Sequence, residues 1–319
     1  MLDKIAGSIR KNKNILEKKE INPIIKYIDS NTFKSSRIFS ALGEDSAAIK
    51  NKDTYILVTT DRIITSFIEN YPFGAGFSSI LVSVDDIYAC GGNPLAASII
   101  LSYKNTNVGE KILEGISEAS NKFQIPIVRG HTNPNGQCYE LSSTLIGEIK
   151  KEYYISAGGA QVGDKLILAV DFDGRVGKAS KLFFDTTTFK PSETVLKRRR
   201  SMNRIAKLKL ATAAKDISNG GIFGTTLQLI KYSGVGIDIN VNQIIIPPIL
   251  QKLKYTLELY SKMYLTTSFI LTVSEKNTKK MIHTFKEYGM NANIIGKIID
   301  EENLLRIHDD NKSIDVIKF

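Results

Sequence analysis

The chain has 319 residues, 42% hydrophobic and 24% charged, which excludes a disordered chain and fits a globular protein with two domains of ordinary size. Its formal charge is +10 and its pI is near 9.3. The lysines are spread along the chain, however, and the one dense run, Lys197-Arg198-Arg199-Arg200, carries no interleaved aromatics, so the composition speaks against nucleic acid and suits an anionic small substrate.

No apolar run reaches the roughly 18 residues of a membrane helix, and Met1-Leu2-Asp3-Lys4-Ile5 has no apolar signal core. Cys90 and Cys138 are too few for a disulfide framework or a zinc site. A cytoplasmic protein without a membrane partner is expected.

Helical spacing of Leu2, Ile5, Ile9 and Ile15 predicts a helix over residues 3–16. Asn22-Pro23 reads as the cap and first-turn proline of a short helix over 24–28. Residues 29–40 read as a loop leading to the turn Gly43-Glu44-Asp45-Ser46-Ala47-Ala48-Ile49. Two strands follow, around 47–49 and 55–59, the second running into Thr59-Thr60-Asp61.

Pro72, Gly74 and Gly76 mark 63–76 as a loop over a site or a strand with bends. Phe77, Ile80, Leu81, Val84 and Tyr88 then share one helical face, with Asp86 about opposite it, where pattern alone makes the acid a solvated one. Gly91-Gly92-Asn93-Pro94 stops that helix. A strand over 95–103, a helix over 108–123 and a strand over 125–128 lead into Arg129-Gly130-His131-Thr132-Asn133-Pro134, read as a turn-rich loop at a strand end. Another strand spans 139–149.

The glycines at 158, 159 and 163 place a domain boundary near 155, giving units 1–155 and 156–319. The second unit opens with a strand over 165–170. Residues 184–200 lack clear periodicity and read as a mobile loop, a candidate lid, leading into a helix. Lys215-Asp216-Ile217-Ser218-Asn219-Gly220-Gly221 precedes an amphipathic helix, a stop at Ser233-Gly234 and an alternating strand over 235–241. A helix over 249–263, a strand over 269–273, a helix over 278–288 and a strand over 293–298 complete the α/β pattern. Each half has a glycine-flanked acid followed by an amphipathic helix and strands, which suggests two domains covering one cleft.

Carboxylates delivered from several glycine turns suit a hard cation such as Mg2+, which shares oxygen ligands with nucleotide phosphates. No Gly-x-x-x-x-Gly-Lys-Ser/Thr loop and no Gly-x-Gly-x-x-Gly after a strand is present, so the P-loop and Rossmann routes to phosphate lack their signals.

Taken in order, the segment from Gly43 to Ile49, Thr59-Thr60-Asp61, the run from Ser83 through Asp86 to Pro94, Arg129-Gly130-His131-Thr132, and Asp216 to Gly221 with Ser233-Gly234-Val235-Gly236 resemble one superfamily. It includes aminoimidazole ribonucleotide (AIR) synthetase, thiamine monophosphate kinase, selenophosphate synthetase and the hydrogenase-maturation dehydratase. The form of the Lys215-Asp216-Ile217-Ser218 and Gly130-His131-Thr132-Asn133-Pro134 segments is most similar to its AIR synthase-related members of the methanogenesis-marker type.

The resemblance implies a two-domain α/β (α+β) fold, with an N-terminal domain forming a dimeric β-barrel and a C-terminal α/β domain. It implies a homodimer that binds ATP and Mg2+ in the cleft between domains. Asp45, Asp61, Asp86 and Asp216 match the family's metal and phosphate acids, with Asp61, Asp86 and Asp216 in catalytic positions. Gly43, Glu44, Asp45, Gly130, His131, Thr132 and Ser218 match its nucleotide-binding positions. The implied activity is ATP- and Mg2+-dependent phosphorylation or activation of a small metabolite; a catalytically inactive nucleotide-binding scaffold or maturation factor on the same fold is the alternative.

The chain departs from individual members. Leu265-Thr266-Thr267-Ser268 stands where the thiamine kinase has Gly-Gly-Glu-Asp, and no cysteine precedes Gly43 as in the selenophosphate enzyme. His131 stands where several members have an acid.

Overall fold

The computed structural model describes residues 1–40 and 42–318, with only the backbone of 18–22. The first half runs through α1 (Leu2–Arg10), α2 (Lys13–Asn31), β1 (Ile38–Ser40), β2 (Ala47–Asn51), β3 (Thr54–Arg62), α3 (Thr65–Asn70), α4 (Pro72–Ala89), β4 (Asn93–Ser102), α5 (Thr106–Phe123), β5 (Ile127–Asn133) and β6 (Glu140–Lys150). Its six strands form one sheet in the order β1-β2-β3-β6-β4-β5, antiparallel except for the β4–β5 pair.

The second half comprises β7 (Lys165–Val170), β8 (Arg175–Val176), β9 (Phe183–Asp185), α6 (Ser192–Lys207), β10 (Ala211–Asp216), α7 (Gly221–Ser233), β11 (Gly236–Asn240), α8 (Pro248–Lys252), α9 (Leu257–Tyr260), β12 (Tyr264–Leu265), β13 (Ser268–Val273), α10 (Thr278–Glu287), β14 (Asn291–Ile299), β15 (Leu304–His308) and β16 (Ser313–Lys318). Seven of these strands form a mixed sheet in the order β10-β13-β7-β14-β11-β15-β16, while β8, β9 and β12 form a small one. Both large sheets are open, so no barrel closes among the described residues. No helix among them is long and apolar enough to cross a membrane.

The run Lys165-Leu166-Ile167-Leu168-Ala169-Val170 shows why the second sheet is central. An unbroken apolar strand must be covered on both faces. Leu166, Leu168 and Val170 share one core with α1 and α7 on one side, while Ile167 and Ala169 share the other with α6, α10 and the core beneath the first sheet. The first helix therefore serves the second core, lying on β15, β16 and α9.

The first sheet is covered on one face only. Alternation in β3 buries Tyr55, Leu57 and Thr59 beneath α4, whereas Ile56 and Val58 face the other way and stay half-buried. On that open face Val58, Ile146 and Ala96 align across three strands.

Several predicted elements differ. The helix over 3–16 breaks at Lys11, because Asn12 caps a new helix through the Asn14 backbone N–H. The expected start at Pro23 is interior to α2, since one proline removes only one bond from a 19-residue helix. The side chain of Asn22 lies outside the described residues. The loop over 29–40 contains the end of α2 and all of β1.

The loop over 63–76 is instead α3 and the first turn of α4, with Pro72 in the first-turn position that suits it. Gly76 is there for packing: a Cβ on it would lie 2.0 Å from the Ile112 carbonyl, and one on Gly115 would lie 2.0 Å from the Phe73 carbonyl. Helices α4 and α5 cross backbone to backbone. Gly115→Ala should destabilise the protein by about 1–3 kcal/mol, measurable as a lower denaturant midpoint; an unchanged midpoint would contradict this crossing.

The turn-rich loop at 129–134 is largely strand β5, with every residue exposed at the sheet edge. Turn-type residues are tolerated there because an edge strand has few neighbours to satisfy. The expected lid over 184–200 is fixed structure: Phe184, Thr186, Thr187 and Lys190 are buried, and the basic run lies in α6 with Arg199 fully buried. The helix over 249–263 splits into α8 and α9, and β15 and β16 lie beyond the last predicted strand.

Candidate active site

Four acids from four elements meet where the two halves join. Asp45 leaves the turn before β2, Asp61 is the penultimate residue of β3, Asp86 lies on α4 and Asp216 ends β10. One carboxylate oxygen from each of Asp45, Asp86 and Asp216 lies within 4.8 Å of the others. Gly43 makes the turn possible, since its φ is +107° and a Cβ there would lie 1.8 Å from the Tyr232 ring.

Three of the acids have hydroxyl, amide or ammonium donors. Thr59 Oγ1 donates to Asp86 Oδ2 at 2.5 Å, and Ser83 Oγ donates to Asp61 Oδ2 at 2.8 Å. Thr59 reaches the site because it lies two residues before Asp61 on one strand face, and Ser83 because it precedes Asp86 by three on α4. Asp45 accepts from the Asp216 backbone N–H at 3.2 Å and from the Lys215 ammonium. Asp61 lies near enough to Asp86 for its charge to act on that carboxyl.

At an effective dielectric of about 20, two carboxylate charges 4.8 Å apart repel by about 3 kcal/mol. Burial, then the charges of Asp216, Asp61 and Asp45, accordingly holds the Asp86 carboxyl well above the usual range. Burial also raises Asp61, opposed chiefly by the Ser83 hydroxyl that donates to it and reinforced by the charge of Asp45. For Lys215 burial acts downward, but the Asp45 carboxylate, followed by Asp216 and Asp86, outweighs it and leaves the lysine above its ordinary value. The donor set is all carboxylate oxygen, partly desolvated and short of positive charge, which fits a hard divalent cation.

The other predicted residues are placed differently. Glu44 turns away from the cluster, accepting from Ser156 Oγ at 2.5 Å and from the Ala157 N–H at 2.6 Å, and so ties the Gly43 turn to the segment joining the halves. Ser218 is half-buried in the turn from β10 to α7, where its carbonyl accepts the Gly221 N–H.

Gly130, His131 and Thr132 lie apart. Asp61, Ser143, Ile99 and Gly130 form one row across β3, β6, β4 and β5. Three strand spacings put Gly130 about 14 Å from Asp61. His131 belongs to the next row, with Ile100, Ser142 and Arg62, on the open face.

Lys215, Ser156 and Tyr232 were not among the predicted site residues. Lys215 carried a signal, a lysine at the end of an apolar strand directly before a site acid. Ser156 and Tyr232 are brought in by the chain's path alone.

Residues 43–149 match the AIR synthase related protein, N-terminal domain, and residues 161–308 match the AIR synthase related protein, C-terminal domain. An uncharacterized protein of Methanocaldococcus jannaschii is 32% identical over 315 residues, spanning 98% of this chain and 96% of its own. A thiamine-monophosphate kinase of Buchnera aphidicola is 25% identical over 320 residues, spanning 92% of this chain and 95% of the kinase. Among solved structures, AaThiL complexed with AMPPCP and TMP shares the fold with a TM-score of 0.67 at 21% identity, over 92% of this chain and 93% of that one. Two matched regions that together span most of the sequence, and a relative similar along nearly its whole length, show that the chain belongs to the AIR synthase related protein family.

Proposed function

We propose that the chain is a cytoplasmic, homodimeric enzyme that uses ATP and Mg2+ to phosphorylate or activate a small anionic metabolite. The observation that carries this reading is the convergence of Asp45, Asp86 and Asp216 within 4.8 Å at the junction of the halves. Similarity to a thiamine-monophosphate kinase, and to the fold of a protein complexed with the ATP analogue AMPPCP, supports it.

Asp45, Asp86 and Asp216 would hold Mg2+, with Asp61 beside them. The ion, when bound, neutralises phosphate charge and aligns the transferred group. Thr59 and Ser83 fix the carboxylates of Asp86 and Asp61, so the ligand geometry is set before nucleotide arrives. The turn through Ser218 lies two residues beyond Asp216, near enough to meet the nucleotide.

The Gly130–Thr132 segment is too far from the cluster to serve it within one chain. A second copy seated on the open sheet face would close the two sheets into a shared barrel and bring a partner's β5 towards each site. The face suits this, since Ile100 and Ile146, which both lie on it, are 52% and 38% exposed. Ile100→Glu combined with Ile146→Glu should halve the sedimenting mass; an unchanged mass for both wild type and variant would remove the dimer from this reading.

The activity is tested by following ADP formation from ATP with Mg2+ and pools of candidate acceptor metabolites. Turnover that vanishes in Asp61→Asn and in Asp86→Asn, while the particle mass holds, is expected. Full activity in both variants would end the proposal.

A further inference from the structure

Lys215 is the one feature of this site that a metal-binding carboxylate cluster does not require. It lies near the end of β10 opposite Ile270, only 4% exposed, with its ammonium on the Asp45 carboxylate and its nearest ring, Tyr232, 5.8 Å away. A lysine there must lose most of its hydration, which is costly unless carboxylates replace the water. The ammonium therefore neutralises one of the three carboxylates that would ligate a divalent ion. Asp45 is committed through both oxygens, one to Lys215 and the other to the Asp216 N–H. An incoming cation must share Asp45 with a fixed positive charge about one ion-pair length away.

We infer that Lys215 is a built-in counter-ion that keeps the cluster from holding a divalent cation tightly on its own, so that the metal is retained only together with a nucleotide. The idea rests on the proposed metal- and nucleotide-dependent activity. Without nucleotide, the lysine supplies part of the positive charge the carboxylates need, and a divalent ion gains little by entering. With nucleotide, the phosphates add negative charge and oxygen ligands, and both cations are accommodated. The linkage is reciprocal: the factor by which nucleotide tightens the metal is the factor by which the metal tightens the nucleotide, and Lys215 adds to it to the extent that it opposes the metal less once the phosphates are present.

The test uses the full chain and Mn2+ as the probe, with free Mn2+ followed by electron paramagnetic resonance. Lys215→Gln removes the charge but keeps an amide donor for Asp45, and Lys215→Arg keeps the charge; melting curves establish that both are folded. Without nucleotide, Lys215→Gln should bind Mn2+ at least about tenfold more tightly than wild type, while Lys215→Arg stays within about threefold of wild type. Adding AMPPCP should tighten Mn2+ binding much more in wild type than in Lys215→Gln.

Equal Mn2+ affinity in wild type and Lys215→Gln, with wild type still responding to AMPPCP, would overturn this inference alone. Wild type that binds no Mn2+ even with AMPPCP would overturn the metal reading beneath it. Should Lys215→Gln fail to fold, wild type decides: Mn2+ bound as tightly without AMPPCP as with it contradicts the inference.

Discussion

Replacing Arg199 with methionine is expected to destabilise the protein by about 3–5 kcal/mol, because it leaves the buried Asp85 carboxylate without its counter-charge. Arg199 is fully buried; its Nε donates to Asp85 Oδ1 at 2.6 Å and its Nη2 to Asp85 Oδ2 at 3.2 Å. The guanidinium also stacks 4.9 Å from the centre of the Phe123 ring. Asp85 itself is buried, and its remaining donor is the Thr267 backbone N–H at 3.2 Å.

This pair joins α4 and α5 of the first half to α6 and the β12–β13 turn of the second. The attraction within it is not the source of the large effect. Two charges taken out of water roughly break even with apolar replacements, and the loss comes from stranding one of them. The double variant Asp85→Leu with Arg199→Met should therefore recover most of the stability lost by Arg199→Met alone. Denaturant unfolding of both variants decides the point: a single variant within about 1 kcal/mol of wild type would contradict the buried pair.

Asp86→Asn should have two effects of opposite sign. Metal-dependent turnover should fall at least about a hundredfold, since even residues that only support metal ligands are worth about 10–100-fold. The metal-free protein should meanwhile become more stable at pH 7. Asp86 and Asp61 both sit above the usual carboxylate range in the folded chain, so the folded state binds protons more readily than the unfolded state there.

Linkage then sets the direction. These two groups oppose folding at neutral pH, and their cost is relieved as pH falls from the raised folded values towards about 4, the unfolded value. Below that the difference vanishes. Metal-free wild type should gain stability on mild acidification, and Asp86→Asn should show less of that gain. The variant's melting temperature at pH 7 should rise by roughly 2–4 °C for each kcal/mol recovered. Added Mg2+ should raise the melting temperature of wild type and leave the variant unmoved. A variant that melts lower than wild type at pH 7 without metal would contradict the crowding of charge at Asp86.

Much of this was legible in the residues, and the failures share a physical origin. The strand at Lys165–Val170 reads correctly because its burial is uniform, and the helix containing Phe77 reads correctly because one face is apolar. The start of that helix was misread because Gly74 and Gly76 signal a turn in isolation, whereas Gly76 serves a close helix crossing that only tertiary contact reveals. The segment Ile127–Asn133 lacks alternation because no part of it is buried.

The site divides in the same way. Asp45, Asp61 and Asp216 stood out through their turns and strand ends, whereas Asp86, solvated by pattern alone, was singled out only by the family resemblance; the fold gathers all four. Arg199 was legible only as a basic residue, and Lys215 only as a lysine directly before a site acid. One is hidden inside a charge run that pattern assigns to solvent, and the other acquires its meaning from Asp45, 170 positions away. Pairing of buried opposite charges over such separations leaves no periodic trace in a sequence.

Calorimetric titration of the purified chain with AMPPCP, with and without Mg2+, tests the central claim most directly. Binding that requires Mg2+ and disappears in Asp86→Asn is the expected result. Equal affinity with and without Mg2+, or no binding by a folded protein, would contradict a metal-assisted nucleotide site at these carboxylates.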